Sequence, residues 1–167
     1  MTITPLTIAF AVFAICALGG SLGVVSSRNL VHAALYLVLA LVGVAGFYIL
    51  LEAPFLAAMQ ILVYVGAIAV LITITIMVTR RIMGIAETVN RQWPVAALAA
   101  LLVVVMLGFV LLAQFGGATP ASDVPPDTIE RIGREFVNHQ GFLLPFEVAS
   151  VLLLAALIGA IVVARES

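Results

Sequence analysis

The sequence has very little charge. Of its 167 residues only 9% are charged, whereas 65% are hydrophobic. An average soluble domain is about half apolar and about one quarter charged. A soluble domain of this length has too little interior to bury so much apolar surface. The composition therefore excludes an ordinary soluble globule, and it also excludes a disordered chain, because disordered chains are poor in hydrophobic residues.

Lysine is absent, and cysteine occurs only once. Seven arginines against eight acidic residues give a net charge of −1, so the chain lacks the basic surface that nucleic-acid binding requires. The single Cys16 forms no internal disulfide and is too few for an iron–sulfur cluster or a structural zinc site. We interpret Cys16 as a buried, small apolar residue, and we expect no metal site in this chain.

Long apolar runs are what the sequence does contain. About 20 residues are needed to cross about 30 Å of hydrocarbon as a helix, and five runs reach that length. Alternating segments of about 10 residues, the pattern of a membrane barrel, are not visible. The sequence therefore predicts an all-α, polytopic membrane protein, a single membrane domain over residues 1–167 with five transmembrane helices. The expected helices cover residues 5–25, 30–51, 54–79, 94–115 and 143–164, and an outer loop covers 116–142.

Proline and capping residues mark where these runs begin. Four prolines stand at or near helix starts, where a missing N–H costs nothing. The second run instead follows two serines and Asn29, which are residue types that cap helices. The prolines are Pro5, Pro54, Pro94 and Pro145.

Arginine positions predict the orientation, because basic loops stay on the cytoplasmic side. With the N-terminus outside and the C-terminus inside, five arginines lie inside and two, Arg131 and Arg134, lie outside with several acids, Asp123 among them. The inside arginines are Arg28, Arg80, Arg81, Arg91 and Arg165.

The outer loop contains a stretch with helical spacing. Ile129, Ile132 and Phe136 recur on one helical face, and Asp127 with Glu130 resembles a capping box. Two interpretations stay open: a short amphipathic helix lying on the membrane surface or on a partner, and a solvated loop.

Glycine spacing predicts close contacts between helices. Gly19 and Gly23 form a G-x-x-x-G motif with Gly20 beside it, and the second run carries Gly43 and Gly46. Small residues at such spacing let membrane helices approach closely, within one chain or between subunits. Ala155 and Gly159 form a similar pair in the fifth run.

The third run carries polar groups at membrane depth, where burying a polar side chain in hydrocarbon costs free energy. Gln60 and Tyr64 are four residues apart on one helical face, and Gly66 lies at the middle of the run. A central glycine permits a local distortion such as a π-bulge. The alternative is that the small residues simply serve tight helix packing.

Two carboxylates lie at the edges of the membrane. Glu52 closes the second run, and Glu147 is expected in the first turn of the fifth, where the helix dipole favours a carboxylate. Each is either an interfacial anchor or a proton-exchanging group facing a polar interior. His32 and His139 fall on opposite sides of the expected membrane, so they do not pair on one haem iron.

Three runs together resemble a known family: residues 29–36 (NLVHAALY), 60–71 (QILVYVGAIAVL) and 145–154 (PFEVASVLLL). They are similar to the J subunit of bacterial type 1 NADH:quinone oxidoreductase, which is respiratory complex I, and to its counterpart, mitochondrial NADH dehydrogenase subunit 6. The resemblance implies a multi-pass subunit of the bacterial inner membrane. It implies H, A, K and antiporter-like subunits as partners, FMN and iron–sulfur clusters held by sister subunits, and quinone and NADH as substrates of the whole complex.

The resemblance also implies a role for the third helix in proton translocation. The family switches this helix between an α form and a π-bulge, which opens and closes a water path. The matching positions here are Tyr64, Val65, Gly66, Ala67 and Ile68. One departure concerns Gln60, because some family members carry a glutamate there and a glutamine orders water without carrying a proton.

Other classes of function remain as alternatives. A subunit that only braces its neighbours shares every motif described above. Membrane hydrogenases and cation antiporter complexes carry similar small subunits. A stand-alone transporter is disfavoured, because the sequence shows no charge at mid-membrane and no internal repeat. The identity of the quinone and of the electron donor is not encoded in these residues.

Overall fold

The computed structural model describes residues 4–79, 92–117, 125 and 127–165 of the chain. The chain divides into two compact units, Met1–Ser122 and Asp123–Ser167. The orientation predicted above depends partly on Arg80, Arg81, Arg91 and Asp123, which lie outside the described residues. Orientation with the N-terminus outside therefore stays a prediction, as does the single membrane domain.

The prediction of an all-helical protein with five apolar helices is confirmed. Each of the five is long and apolar enough to cross a bilayer. Their bounds lie within one residue of the ranges expected from the sequence. They are α1 (Pro5–Ser26), α2 (Leu30–Leu50), a third span covering Pro54–Thr79, α5 (Trp93–Phe115) and α7 (Leu143–Ala164). The shorter α6 (Thr128–Val137) precedes α7.

The helix starts follow the capping chemistry that the sequence predicts. Pro5, Pro54 and Pro94 occupy the first or second helical position. Asn29 caps α2, because its Oδ1 atom accepts a hydrogen bond of 3.0 Å from the amide of Val31. These residues satisfy or remove N–H groups that have no partner inside their own helix.

Helices α1 and α2 pack closely through glycine. A Cβ added at Gly20 would lie 2.6 Å from the backbone nitrogen of Ala40, and one at Gly43 would lie 2.6 Å from the backbone nitrogen of Ala17. A Cβ at Gly19 would meet nothing within 4 Å. The predicted close contact is confirmed, but the face of α1 that makes it is centred on Gly20 rather than on Gly19.

Aromatic rings cover the remaining glycines of this interface. The Tyr36 ring lies where a side chain of Gly23 would be, and the Phe13 ring lies where a side chain of Gly46 would be. Phe10 and Phe47 add a tilted ring pair with centroids 5.4 Å apart. These aromatic rings pack against the glycine backbone and fill the space between the two helices. Cys16 on the same helix is half-buried, more open than the sequence predicts.

Helix α2 contacts all three parts of the third span as well as α1. Apart from the interface glycines, the buried apolar residues of the described chain are all alanines, which fits helices in close contact. They are Ala34, Ala40, Ala45, Ala57 and Ala69. By contrast, α5 and α7 bury no residue within the described part of their own units.

The second unit consists of α6 and α7. The two helices are joined by a short bend in which Phe142 donates its amide to the carbonyl of Glu135 at 2.9 Å. Phe136 of α6 stacks on Phe146 of α7, with ring centroids 5.7 Å apart. Of the two interpretations of this stretch of the outer loop, the structure shows the short amphipathic helix.

Candidate functional site in the third span

The third span is an α-helix only at its two ends. It begins with α3 (Pro54–Met59), continues as a π-helix over Gln60–Ala69, and ends with α4 (Val70–Thr79). A π-helix pairs each carbonyl with the amide five residues further on, and such stretches are rare and concentrate at functional sites. Ten residues of π-helix in one span are an unusual departure from the α form. We call Gln60–Ala69 the π segment.

The π segment contains every candidate residue that the sequence places in the third span. Tyr64 and Ile68 are exposed in this chain, with 49% and 41% of their surfaces accessible. Val65 is half-buried, and Gly66 and Ala67 are exposed. These five positions therefore form a continuous stretch of distorted helix whose side chains are exposed or half-buried within the described chain.

Gly66 lies where a side chain would be crowded by its own helix. A Cβ there would approach the carbonyl oxygen of Ile61, five residues earlier, at 3.3 Å. That separation is tighter than ordinary van der Waals contact but does not force a collision. Glycine at this position therefore relieves crowding within the π segment itself, since no atom of another described helix lies within 4 Å of such a Cβ.

Gln60 is the buried polar residue of the described chain. Only 7% of its surface is accessible, and its side-chain Nε2 lies 3.5 Å from the carbonyl oxygen of Leu41 on α2. Because Gln60 opens the π segment, this contact joins the beginning of the distorted helix to its neighbour. Tyr64, four residues further on, is much more open.

The other end of the π segment is also held. Ala69 is accessible over only 1% of its surface, and its carbonyl oxygen accepts a hydrogen bond of 2.7 Å from the hydroxyl of Thr73. Thr75 and Thr79 make similar bonds to carbonyls four residues back, at 2.8 and 2.7 Å. Such bonds satisfy polar side chains inside hydrocarbon and bend helices slightly.

Glu52 occupies a strained position in the turn between α2 and α3. Its φ is 54°, the one positive φ of a non-glycine residue in the described chain. The amide of Glu52 bonds to the carbonyl of Ile49 at 3.1 Å, and the amide of Ala53 bonds to that of Tyr48 at 3.0 Å. This is a Schellman motif, whose left-handed residue is most often glycine. The carboxylate is exposed.

Glu147 lies deeper in its helix than the sequence indicates. Helix α7 begins at Leu143 and has no acidic residue in its first turn, so Glu147 is in the second turn. The expectation of a first-turn carboxylate stabilised by the helix dipole is therefore wrong, since that effect is confined to the first turn. The side chain of Glu147 is exposed within its unit.

Helix α6 uses its charges differently from the expected capping box. The carboxylate of Asp127 accepts a hydrogen bond of 2.8 Å from Nε of Arg131, and Glu130 pairs with Arg134. Asp127 is the N-cap residue but makes no side-chain capping bond. The prediction of a capping box is wrong, because both carboxylates form ion pairs with arginines one turn further along the helix. The Arg131 hydrogen bond lowers the pKa of Asp127 below its ordinary value.

The two histidines fall in different compact units. His32 lines a shallow groove of about 360 Å³ along α2, together with Leu35, Tyr36 and Leu39. His139 is exposed in the bend after α6. Neither histidine is part of the π segment.

The structure defines a class of protein, a polytopic membrane subunit with a distorted third span. The features that define it are five apolar helices and a buried amide side chain at the start of a long π-helix. A model of the family NADH-ubiquinone/plastoquinone oxidoreductase chain 6 matches residues 20–163. The chain therefore belongs to the NADH-ubiquinone/plastoquinone oxidoreductase chain 6 family, as the resemblance implies.

Individual relatives match nearly the whole chain. It is 40% identical over 165 residues to the F(420)H(2) dehydrogenase subunit J of Methanosarcina mazei, covering 95% of this chain and 90% of that subunit. It is 40% identical to the NAD(P)H-quinone oxidoreductase chain 6 of Leptolyngbya boryana, covering 95% and 79% of the two chains. For the chain 6 of Synechocystis sp. the identity is 39%, with 95% and 80% covered. The chain is thus a membrane-arm subunit of a complex I-like oxidoreductase, and its partners are other subunits of that complex.

Proposed function

We propose that this subunit helps to couple quinone reduction to proton pumping, and that its π segment acts as the gate of a water path. The observation that carries the proposal is the π segment itself, Gln60–Ala69. It covers all the positions that the resemblance marks as the moving part. The chain alone performs no redox chemistry in this scheme: FMN and iron–sulfur clusters belong to sister subunits.

The gate requires two states that are close in free energy. Conversion of one π turn to α shifts the helix register by one residue, which rotates the residues beyond it by about 100°. A difference of a few kcal/mol at most between the two forms lets binding events elsewhere select either one. In one form Val65 and Ile68 block water, and in the other Tyr64 moves and water enters. Gly66 lowers the cost because it carries no Cβ.

Water in such a path needs polar groups to order it. The Tyr64 hydroxyl both donates and accepts hydrogen bonds, so it suits this task. Gln60 carries no proton, so we assign proton transfer to water itself or to carboxylates of neighbouring subunits. Glu52 and Glu147 are the carboxylates of this chain that remain candidates for proton exchange at the membrane edges.

The placement in the assembly follows the family. We propose contacts with the H, A and K subunits and with antiporter-like subunits, in the cytoplasmic membrane of a bacterium, with the N-terminus outside. The electron donor stays open, because the names of the relatives include both NAD(P)H and F(420)H(2) enzymes. Flavin content of the purified complex and its oxidation of each donor distinguish these cases.

A purely bracing role is the second candidate. It is favoured by α5 and α7, which are long and apolar and bury no residue within the described part of their own units. The two roles make different predictions for a substitution confined to the π segment: it lowers proton pumping if the segment is a gate and leaves pumping unchanged if the subunit is only a brace.

The decisive experiment replaces Gly66 with valine in the assembled complex. A β-branched residue crowds the Ile61 carbonyl and stiffens the segment, so we expect assembly to persist and protons pumped per electron to fall. Gly108→Val is the matched control, because a Cβ at that position in α5 meets nothing within 4 Å. Both are measured in membrane vesicles, with blue-native gels to report assembly. Unchanged pumping in Gly66→Val overturns the gate and leaves the brace.

A further inference from the structure

We propose that Gln60 is a neutral clamp: it donates its side-chain amide to the Leu41 carbonyl of α2 and so fixes where the π segment begins. The inference rests on the gating function proposed above and deepens it. Gln60 is a positioning residue in this scheme, because it acts through the helix that it holds.

The burial pattern of the π segment shows two buried ends and a more open middle. Gln60 and Ala69 are buried, with 7% and 1% of their surfaces accessible. Every residue between them is exposed or half-buried. A segment that is buried at both ends, joined to α2 at its first residue and more open between its ends can change its winding in the middle without moving α3.

The two ends are held by different physical means. Ala69 has only an apolar methyl to place against its neighbours, so its contact is not directional. Gln60 has an amide that donates to the Leu41 oxygen over 3.5 Å, which is at the long limit for a hydrogen bond. Such a bond is made or broken by a small displacement. That property suits the fixed end of an element with two states.

The donor character of Gln60 separates the clamp from other roles. An amide donates at every pH, whereas a carboxyl group donates only while it is protonated. A packing role requires only the size and shape of the side chain. A proton-relay role requires a titratable group, which glutamine is not.

Two substitutions of similar length test these roles in the assembled complex. Gln60→Met keeps the length of the side chain and removes the donor. Gln60→Glu keeps the shape and makes the donor dependent on pH. Protons pumped per electron are measured in membrane vesicles from about pH 6 to about pH 9, a range in which a perturbed carboxyl group titrates.

If Gln60 is the clamp, Gln60→Met lowers pumping about threefold to tenfold at every pH, the size expected for one net hydrogen bond. Gln60→Glu matches the unmodified complex at low pH. It falls toward the Gln60→Met level as pH rises through the pKa of the new carboxyl group.

Other titratable groups near the clamp are common to all three proteins. Helix α2 contributes His32, Tyr36 and Tyr48, and the π segment contributes Tyr64. Helices α3 and α4 contain none. The difference between the Gln60→Glu profile and the profile of the unmodified complex therefore isolates residue 60.

Normal pumping in Gln60→Met overturns the clamp, because packing is then all that position 60 requires. A Gln60→Glu profile parallel to that of the unmodified complex overturns it as well. If methionine prevents assembly, the Gln60→Glu profile alone decides. The Gly66→Val experiment separates the two proposals: loss of pumping there with a parallel Gln60→Glu profile removes the clamp and keeps the gate.

Discussion

The α1–α2 pair and the π segment use glycine for opposite purposes. A side chain at Gly20 would collide with the backbone of Ala40 at 2.6 Å, so glycine there lets two helices touch. At Gly66 the nearest atom is the carbonyl oxygen of Ile61 in the same helix, at 3.3 Å. Glycine there serves the winding of its own backbone. The same residue type in two apolar helices thus permits a fixed helix contact in one place and a deformable backbone in the other.

The difference has a physical basis in the membrane. Lipid is as apolar as the side chains, so helices associate there through close packing and hydrogen bonds. The α1–α2 pair has close packing along Gly20, Gly23, Gly43 and Gly46. The π segment is buried at its two ends, at Gln60 and Ala69, and is more open between them. A rigid pair beside a loosely held span is a suitable frame for a gate.

The largest effect that tests this comparison is expected at Gly20. Gly20→Val forces the backbones of α1 and α2 apart, and we expect a loss of about 3 kcal/mol or more of stability, the upper part of the range for overpacking. Blue-native gels and thermal melts of the complex measure it. The matched control is Gly19→Val, whose new side chain meets nothing within 4 Å. Equal destabilisation by the two substitutions would contradict the packing interface.

A smaller effect, on function, is expected at Gly66. Gly66→Ala adds a Cβ that the Ile61 carbonyl accommodates after a slight shift. If this crowding costs the π form up to about 1 kcal/mol, the low end of the range for overpacking, the equilibrium moves toward the α form by up to about fivefold. We expect normal assembly and a pumping rate lowered by up to about the same factor. Pumping unaffected by Gly66→Ala, as by the control Gly108→Ala, would mean that the winding of this span does not limit turnover.

A modest gain in stability is expected at Glu52. Its left-handed backbone costs about 1 kcal/mol in a residue that is not glycine, so Glu52→Gly should raise the melting temperature of the subunit purified in detergent. Glu52→Gln is the control, since it removes the charge and keeps the strain. A rise with glutamine as large as the rise with glycine would assign the cost to the carboxylate instead. Loss of pumping in a more stable Glu52→Gly complex would show that the carboxylate serves the proton path.

Local patterns were enough to predict the spans and their caps. An apolar run of about 20 residues has few alternatives to a membrane helix, and Asn29 caps α2 through atoms two residues away. The small residues of α1 likewise predict helix contact. The choice of Gly20 over Gly19 depends on the rotation of α1 against α2, which no single helix encodes.

Other features of the structure depend on which of several possible interactions a residue makes, and the sequence alone does not say which interaction is the strongest. The π segment begins at the buried Gln60 and ends at the buried Ala69, and the burial of these two residues is not encoded in the spacing of the third run. Asp127 has the right spacing for a cap, but the side chain of Arg131 competes for its carboxylate. Glu52 adopts a backbone conformation that its residue type does not favour. None of these three features follows from the local spacing of residues along the chain.

The smallest effect concerns α6, which lies outside the spans and is exposed to water. The hydrogen bond from Arg131 lowers the pKa of Asp127 below the ordinary value of 3.8. The folded state therefore holds the charged form more strongly than the unfolded state does, so the pair supports α6 fully above that ordinary value. This support is lost as pH falls through the lowered pKa.

Hydrogen exchange of the α6 amides in the purified complex, followed as pH is lowered through the acidic range, measures this support after correction for the intrinsic pH dependence of exchange. We expect a small loss of protection at the start of α6, because exposed ion pairs contribute little. Asp127→Asn removes the titrating group, so its protection should be lower at neutral pH and should lack this acid transition. A transition of the same size in Asp127→Asn would contradict its assignment to the pair of Asp127 with Arg131.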